Sequence, residues 1–524
     1  MNTPNYKRAV IYLILISTIL RSILAIFLEL GPEEAYYWTF AIYPELSNFD
    51  QPPMIGWFVQ LFTNNLVLGG EFFVRLASII SGSASIWIVF IIGRRVKGES
   101  AGFYSALLYC ISFYLSIISG MLLLPEAPQT LFYLLALYFL IEGVIPKRRN
   151  CSESRILCTM ALLIAGIFIG LATLSKFSSV FLWFGLFIYA LIFDRSLFKR
   201  VELYAAFLIS LLFLIPVYIW NIKNSYVGFE HLSGLVHISK GISIKTLIAG
   251  IFIPILINNP LNIAIIVKAL RFYRTHRNLT YSYIHLLLSL SIPVIAISIS
   301  MSAFSDSFIY AVSLGISPLI FVGGSYLSDI NTTGTILIPR GLVRWSITLF
   351  LVSILITIVH LYFGIFSLNS ISGQKGLPTN MRDITLSRYG WSELSEEFGK
   401  IREKDISEGR VSRHSYIIDF EYRRAAQLDF YLARPNNSVV KTFGTRERTR
   451  KYDWITGKLG GIKPGETLYY IESSLDRESS KQFGERFFER TELAGTVYIM
   501  RAKKPVIRFR IFRFINLKEY PVVN

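Results

Sequence analysis

Two adjacent carboxylates stand directly after the first hydrophobic stretch of the chain, in the run Gly31-Pro32-Glu33-Glu34-Ala35-Tyr36-Tyr37-Trp38. A carboxylate at the end of a membrane span can act as a general base, and Glu33 and Glu34 are candidates for that role. Acids at a helix end are also ordinary, because they interact favourably with the helix dipole. From position alone, the alternative to a catalytic role is that Glu33 and Glu34 lie in a solvated loop.

The residues that follow the two acids favour a functional interpretation. Tyr36, Tyr37 and Trp38 offer flat aromatic surfaces that suit sugar rings, although such residues also anchor proteins at a membrane interface. Asp50 and Gln51 add polar side chains to the same connector, just before a pair of prolines that stiffens the backbone. This mixture exceeds what a simple connection between two spans needs.

Two later connectors each contain one charged candidate. Glu126, in Leu124-Pro125-Glu126-Ala127-Pro128, precedes a hydrophobic run. An acid in or beside a membrane is a functional candidate, and the alternative is a charge that favours a helix N-terminus. Lys176, in Ser175-Lys176-Phe177, is the only basic residue of its connector. It could extend towards the lipid headgroups or hold a phosphate as a point charge.

A polar segment after residue 219 holds Asn221 as a substrate-binding candidate and Lys223 and Lys240 as further phosphate-binding candidates. His231 and His237 in the same segment match no closed metal-binding spacing, so we expect no metal there. General base catalysis by a carboxylate requires no cofactor, and a divalent metal stays an open alternative.

The composition indicates a membrane protein. The chain has 524 residues, of which 53% are hydrophobic, and its mean hydropathy is +0.48. Segments of about 20 apolar residues predict transmembrane helices. We predict about eleven, in a polytopic all-α bundle: 9–28, 72–93, 101–118, 128–145, 156–174, 178–193, 203–221, 246–267, 282–300, 307–327 and 345–367.

Basic residues alternate between the connectors, which predicts sidedness. Clusters such as Arg94-Arg95 and Arg195 to Arg200 occupy every second connector, and such clusters mark the cytoplasmic side. The N-terminus is then cytoplasmic, whereas the Glu33 connector and the C-terminal segment lie outside, in a multi-pass membrane protein. Because the net charge of +18 is spread over short loops, it does not favour nucleic-acid binding.

The composition becomes polar near residue 368. We predict a transmembrane domain over 1–368, with an outer catalytic loop at 29–71, and an extracytoplasmic domain with a basic tail over 369–524. Helical spacing from Trp391 and short apolar runs at 416–418, 439–440 and 468–471 predict a small α/β fold. The tail at 506–513 alternates apolar and basic residues, which suits an edge strand or, in our interpretation, contact with the membrane surface.

Five runs, taken in order, resemble bacterial membrane glycosyltransferases related to protein O-mannosyltransferases, with the lipid A aminoarabinose transferase as a more distant relative. In that family the first loop has Asp-Glu-Ala-Tyr-Tyr-Trp followed by Phe-Asp-His-Pro-Pro. The corresponding runs here are Glu33 to Trp38 with Phe49 to Pro53, Leu124 to Pro128, Leu174 to Phe177, Pro216 to Asn221 and Gly390 to Leu394. Glu33 and Glu126 stand where Asp is usual, and Gln51 replaces His.

The resemblance implies the C-type glycosyltransferase fold and transfer of a sugar from a polyprenyl-phosphate donor to a glycolipid, glycan or protein acceptor at the outer face. It implies that Glu33 is the catalytic residue. The other expected site residues bind substrate, and they are Glu34, Tyr36, Tyr37, Asp50, Gln51, Glu126, Lys176, Asn221 and Lys223.

Two other functions fit the same residues. A transporter or flippase of lipid-linked sugars would move the donor without forming a glycosidic bond, but it would place its polar groups near the bilayer midplane. A non-catalytic protein of envelope assembly would tolerate substitution of Glu33 and Glu126, but not loss of residues 380–524.

Overall fold

The computed structural model describes residues 5–145, 152–234, 241–276, 281–331, 341–366, 383–476 and 481–518. The chain forms two compact units. The first, which we call the membrane unit, consists of Met1–Ile26 and Phe40–Val352, and the second, the C-terminal unit, consists of Phe27–Thr39 and Ser353–Asn524. The short segment with Glu33 and Glu34 therefore belongs to the C-terminal unit, although it follows the first span in sequence.

The membrane unit is built from helices. The divisions between the units fall within or at the end of three helices, α1 (Tyr6–Phe27), α2 (Pro32–Ile42) and α17 (Leu342–Phe363). The other helices of the unit are α3 (Met54–Phe62), α4 (Glu71–Lys97), α5 (Glu99–Cys110), α6 (Glu126–Val144), α7 (Ser152–Ser175), α8 (Phe181–Ile192), α9 (Val201–Leu212), α10 (Ile215–Lys223), α11 (Val227–Gly234), α12 (Ile244–Ile257), α13 (Pro260–Thr275), α14 (Tyr281–Ser302), α15 (Ile309–Ile316) and α16 (Leu319–Ile330).

Eight segments of the described chain are helical, long and apolar enough to cross a membrane, and each overlaps one predicted span. The predicted span 246–267 is instead the pair α12 and α13, which meet at 93°. The segment 178–193 is a shorter apolar helix, and the segment 101–118 contains α5, which ends at Cys110. The predicted number of eleven spans is therefore not confirmed.

The bend between α12 and α13 is stabilised by asparagine side chains. Asn258 donates to the hydroxyl of Ser313 at 2.9 Å, and Asn259 donates to the carbonyls of Ile111 and Ser346, each at 3.0 Å. Asn259 also accepts the N–H of Leu261 at 3.2 Å, which satisfies a backbone donor at the break, where lipid would offer no partner. The bend is therefore held by specific polar contacts.

The C-terminal unit is a small α/β domain. Its further helices are α18 (Trp391–Ser407), α19 (Tyr422–Leu428), α20 (Arg446–Thr449), α21 (Lys451–Lys458) and α22 (Lys481–Glu485). Its strands are β1 (Ile417–Asp419), β2 (Val440–Thr442), β3 (Leu468–Ser473), β4 (Phe488–Arg501) and β5 (Lys504–Leu517). The sheet order is β2-β1-β3-β5-β4, in which β1 pairs in parallel with β2 and β3, and β5 pairs antiparallel with β3 and β4.

The sheet confirms the predicted α/β class and shows that the tail is not an edge strand. The predicted strands near 417, 440 and 469 are β1, β2 and β3, and the predicted helix from Trp391 is α18. The tail lies in β5, which is an internal strand and not an edge strand, because it pairs with a neighbour on each side. Its apolar residues Phe509 and Ile511 are buried, and the predicted contact of the tail with the membrane surface stays a prediction.

A buried acid makes the stability of this domain depend on pH. Burial raises the pKa of Asp429 to about 6, while Arg434 and the Tyr452 hydroxyl oppose that shift. Between about pH 4 and pH 6 the folded state binds more protons than the unfolded state, so raising the pH lowers the free energy of unfolding by up to roughly 3 kcal/mol. Amide hydrogen exchange in β1 and β3, corrected for intrinsic rates, should show this fall. Asp429→Asn should show a smaller fall, since burial also raises the pKa of Glu421 and of Asp476. An equal fall in that variant would contradict the assignment.

Candidate functional site

The local sequence builds a capped helix start beneath the two acids. Pro32 occupies the first position of α2, where its fixed φ suits a helix and its missing N–H is not needed. The carbonyl of Gly31 accepts the first helical bond from the N–H of Ala35 at 3.0 Å. Glu34 reaches back and accepts the N–H of Gly31 at 3.1 Å, as in a capping box. Glu33 and Glu34 are therefore held on a rigid first turn.

Glu34 is completely buried and is paired with an arginine from far along the sequence. Its Oε2 forms an ion pair with Nη1 of Arg388, within the C-terminal unit. A buried carboxylate requires such a partner, because an uncompensated charge in a low-dielectric interior is costly. The geometry gives Glu34 a role in fixing α2, whereas its predicted contact with substrate stays a prediction.

Glu33 is the accessible acid of the pair. Its side chain is 40% exposed, and its Oε1 accepts a hydrogen bond from Nε of Arg423 at 2.5 Å. Its Oε2 makes no hydrogen bond to any other residue that the structure describes. Glu33 therefore presents one oriented, unoccupied oxygen at the start of α2.

The aromatic residues of α2 pack inside the C-terminal unit. Tyr36 is fully buried and meets the ring of Tyr422 edge to face, with centroids 4.6 Å apart. Trp38 meets Phe430 in the same way at 5.0 Å. Tyr37 is 9% exposed. These rings fix the helix by packing, and their predicted contact with a sugar stays a prediction.

Glu126 and Lys176, which the sequence placed in separate connectors of the membrane unit, form an ion pair. Nζ of Lys176 lies 2.6 Å from Oε1 of Glu126. The side chains are 19% and 8% exposed, so the pair is largely desolvated. Gln129, one turn along α6, donates to the hydroxyls of Ser178 and Ser179. The start of α6 is thus joined to the end of α7 by polar contacts.

Helix α3 follows Pro53 and packs beside the same connection. Met54, Leu174 and Val217 form one buried apolar cluster, which brings the residue after Pro53 next to the Lys176 run and to α10. Gln51 precedes α3, and its backbone carbonyl accepts the N–H of Asn48 at 3.2 Å. Its Oε1 is buried without a hydrogen-bond partner among the described residues. Asp50 is partly exposed.

The candidates on α10 differ in their accessibility. Asn221 is 2% exposed, and both ends of its amide are used, on the carbonyl of Val217 and the N–H of Phe229. Lys223 is exposed at the end of the helix. Lys240 and His237 lie outside the described residues. No cluster of three or more His, Cys, Asp and Glu side chains that could hold a metal occurs in the described part of the chain.

The sequence prediction missed the two arginines that hold the acids. Arg388 and Arg423 are 354 and 390 residues from their partners. One signal was available, since no Lys or Arg occurs between Arg21 and Arg75 although six acids do. Any cation that pairs with Glu33 or Glu34 therefore had to come from another part of the chain.

Comparison with known proteins places these residues in context. Residues 50–220 match the profile of the family described as dolichyl-phosphate-mannose-protein mannosyltransferase, a stretch that contains Asp50, Gln51, Glu126 and Lys176. No curated protein matches the chain by sequence. The matched residues lie within the membrane unit, and the match does not extend to Glu33.

Solved structures of similar fold cover most of the chain. The crystal structure of ArnT from Cupriavidus metallidurans bound to undecaprenyl phosphate aligns with a TM-score of 0.61 at 13% identity, over 95% of this chain and 97% of that one. The apo structure of the same protein gives a TM-score of 0.60 at 13% identity over the same shares. The archaeal oligosaccharyltransferase AglB from Archaeoglobus fulgidus aligns at 0.46 and 13% identity, over 89% of this chain and 70% of that one.

The likeness to ArnT shows the fold. The protein has the C-type glycosyltransferase fold, with a bundle of apolar helices and a small C-terminal sheet domain. It is a multi-pass membrane protein, and its residues 50–220 are similar to the protein mannosyltransferase family.

Proposed function

We propose that this protein of C-type glycosyltransferase fold transfers a sugar from a polyprenyl-phosphate donor to an envelope acceptor at the outer face of the bacterial inner membrane. The acceptor is lipid A or another glycolipid, a polysaccharide or a protein. The observation that carries the proposal is the oriented, accessible carboxylate of Glu33, at the position where the resemblance expects the catalytic residue. The undecaprenyl phosphate bound by ArnT supports a carrier of this class.

In the proposed reaction, Oε2 of Glu33 takes the proton of an acceptor hydroxyl as its oxygen attacks the anomeric carbon of the donor. A glycosidic bond forms, the bond between the anomeric carbon and the phosphate oxygen breaks, and polyprenyl phosphate leaves. Lys176, assisted by Lys223, stabilises the charge that develops on the phosphate. Asp50, Gln51 and Glu126 position the donor or acceptor. The N-terminus is cytoplasmic and the C-terminal unit is extracytoplasmic.

A deletion strain provides the direct test. Mass spectrometry of envelope lipids, glycans and glycoproteins should show a glycan-bearing species that is lost on deletion and restored by the full chain. That mass difference identifies both the sugar and the acceptor. A flippase would instead alter donor movement in proteoliposomes without forming a new glycosidic bond, and an unchanged set of glycosylated species would contradict the proposal.

The Glu126–Lys176 pair predicts opposite effects of two substitutions on carrier binding. Lys176→Met removes a charge-assisted contact to phosphate and should weaken binding of undecaprenyl phosphate by at least about 10-fold. Glu126→Gln releases Lys176 from a carboxylate 2.6 Å away and should strengthen binding. Binding to purified protein in detergent measures both effects. Lys245→Met, at an exposed lysine, is the control, and weakening by Glu126→Gln would contradict the role of Lys176.

A further inference from the structure

The guanidinium of Arg423 is restrained on three sides. Its Nε donates to Oε1 of Glu33 at 2.5 Å, and its Nη1 lies 3.6 Å from Oε1 of Glu421. Its central carbon lies 4.7 Å from the ring centroid of Tyr422, over the aromatic face. A planar guanidinium can make edge and face contacts at once, which an ammonium cannot do. Arg423 is therefore a pre-oriented partner for Glu33.

The groups that restrain Arg423 are themselves fixed. Tyr422 is 3% exposed and packs against Tyr36 on α2, and the guanidinium of Arg450 lies 4.3 Å from its ring centroid. Glu421 caps α19, since its Oε2 accepts the N–H of Arg424 at 3.0 Å. Side chains that are locked by packing and by further hydrogen bonds hold a reacting group in place more precisely than a free surface residue would.

We propose that Arg423 is a positioning residue for the reaction, and that it orients the Glu33 carboxylate so that Oε2 faces the acceptor. The proposal rests on the catalytic role of Glu33 in the proposed function. It gives the C-terminal unit a direct task, because the segment that carries Glu33 and the helix that carries Arg423 both belong to that unit. Without Arg423, the 40% exposed Glu33 side chain would be free to rotate.

The test compares Arg423→Ala and Arg423→Lys with a matched control. Arg446 makes the same kinds of contact, since its Nε lies 3.1 Å from Asp453 and its guanidinium lies 5.3 Å from the Trp454 centroid. It is 49% exposed, against 46% for Arg423, but no contact joins it to Glu33. Each full-length variant is expressed in the deletion strain to measure glycan formation. Each is also purified to measure binding of undecaprenyl phosphate.

Arg423→Ala should reduce glycan formation by about 10- to 100-fold, because a small misplacement of a reacting group has effects of that size. Binding of undecaprenyl phosphate should be unchanged, since Arg423 acts through Glu33 and not on the carrier. Arg423→Lys should recover part of the rate, because an ammonium can still pair with the carboxylate but cannot keep the edge and face contacts of the guanidinium. Arg446→Ala should match wild type. If hydrogen exchange shows that Arg423→Ala is poorly folded, the rate of glycan formation in Arg423→Lys tests the positioning role instead.

These results distinguish the positioning role of Arg423 from the proposed function of the protein. A rate for Arg423→Ala equal to that of Arg446→Ala would overturn the positioning role, while a loss in Glu33→Gln would still support the proposed function. A folded Arg423→Lys with no recovery at all would also overturn it. If Glu33→Gln is as active as wild type, the proposed function itself fails.

Discussion

Glu33→Gln is expected to reduce glycan formation by about 10²- to 10⁴-fold, the range that general base catalysis contributes. The substitution keeps the size of the side chain, and its amide can still contact Arg423, but it cannot accept the acceptor's proton. Because Glu33 is partly exposed and lies on a capped helix start, the fold should be retained. Mass spectrometry in the complemented deletion strain measures the loss, and binding of undecaprenyl phosphate to the purified variant should persist.

Two further variants sharpen this expectation. Glu45→Gln removes an acid from the same connector and should leave glycan formation near wild type. Glu33→Asp restores the acid that is usual in the resembling family, but it shortens the reach by one methylene and loses the 2.5 Å contact with Arg423. It should therefore be partly active. Near-normal turnover in Glu33→Gln would exclude Glu33 as the base.

The largest expected loss of stability comes from Arg388→Met. The substitution leaves the fully buried carboxylate of Glu34 without its cation, and breaking a buried pair in this way costs about 3–5 kcal/mol. The double variant Arg388→Met with Glu34→Gln removes the charge as well, so it should recover much of that loss. Hydrogen exchange in β1, β3 and α18 of the purified full chain gives the change in the free energy of opening.

An exposed pair provides the matched control. Lys400 and Glu397 form an ion pair on α18 with side chains that are 67% and 43% exposed. Lys400→Met should leave the free energy of opening almost unchanged, because water already screens such a pair. Equal losses in Arg388→Met and Lys400→Met would show that Glu34 is not isolated from solvent as the structure indicates.

Hydropathy predicted most of the helices because a membrane span is defined by length and apolar composition, which a single sequence records directly. Hydropathy did not predict where a helix is interrupted within an apolar segment. The segment 101–118 is apolar throughout, but its helix ends at Cys110 and a separate wide turn follows at Tyr114–Ile118. The break at Asn258 and Asn259 was readable in principle, since a proline follows and begins the next helix.

The site was predictable only in part. Glu33, Glu126 and Lys176 stood out because charges beside apolar runs are rare, and Glu126 and Lys176 do meet. Their geometry was not predictable, since contacts between distant positions leave no trace in hydropathy or periodicity. For the same reason the place of the tail in the sheet was not predictable: the alternation of β5 fits both a peripheral strand and an internal one, and only its two partners decide between them.

The long sequence separation between Glu34 and Arg388 has a consequence for biosynthesis. The acids of α2 leave the ribosome 354 residues before the arginine that compensates the buried one. At about 5–20 residues per second, that interval is roughly 20 to 70 s. Until then α2 has neither the ion pair nor the packing of Tyr422 against Tyr36. The proposed catalytic carboxylate is thus among the first parts to be synthesised and among the last to be ordered, so a chain interrupted during translation would carry the acid without an organised site.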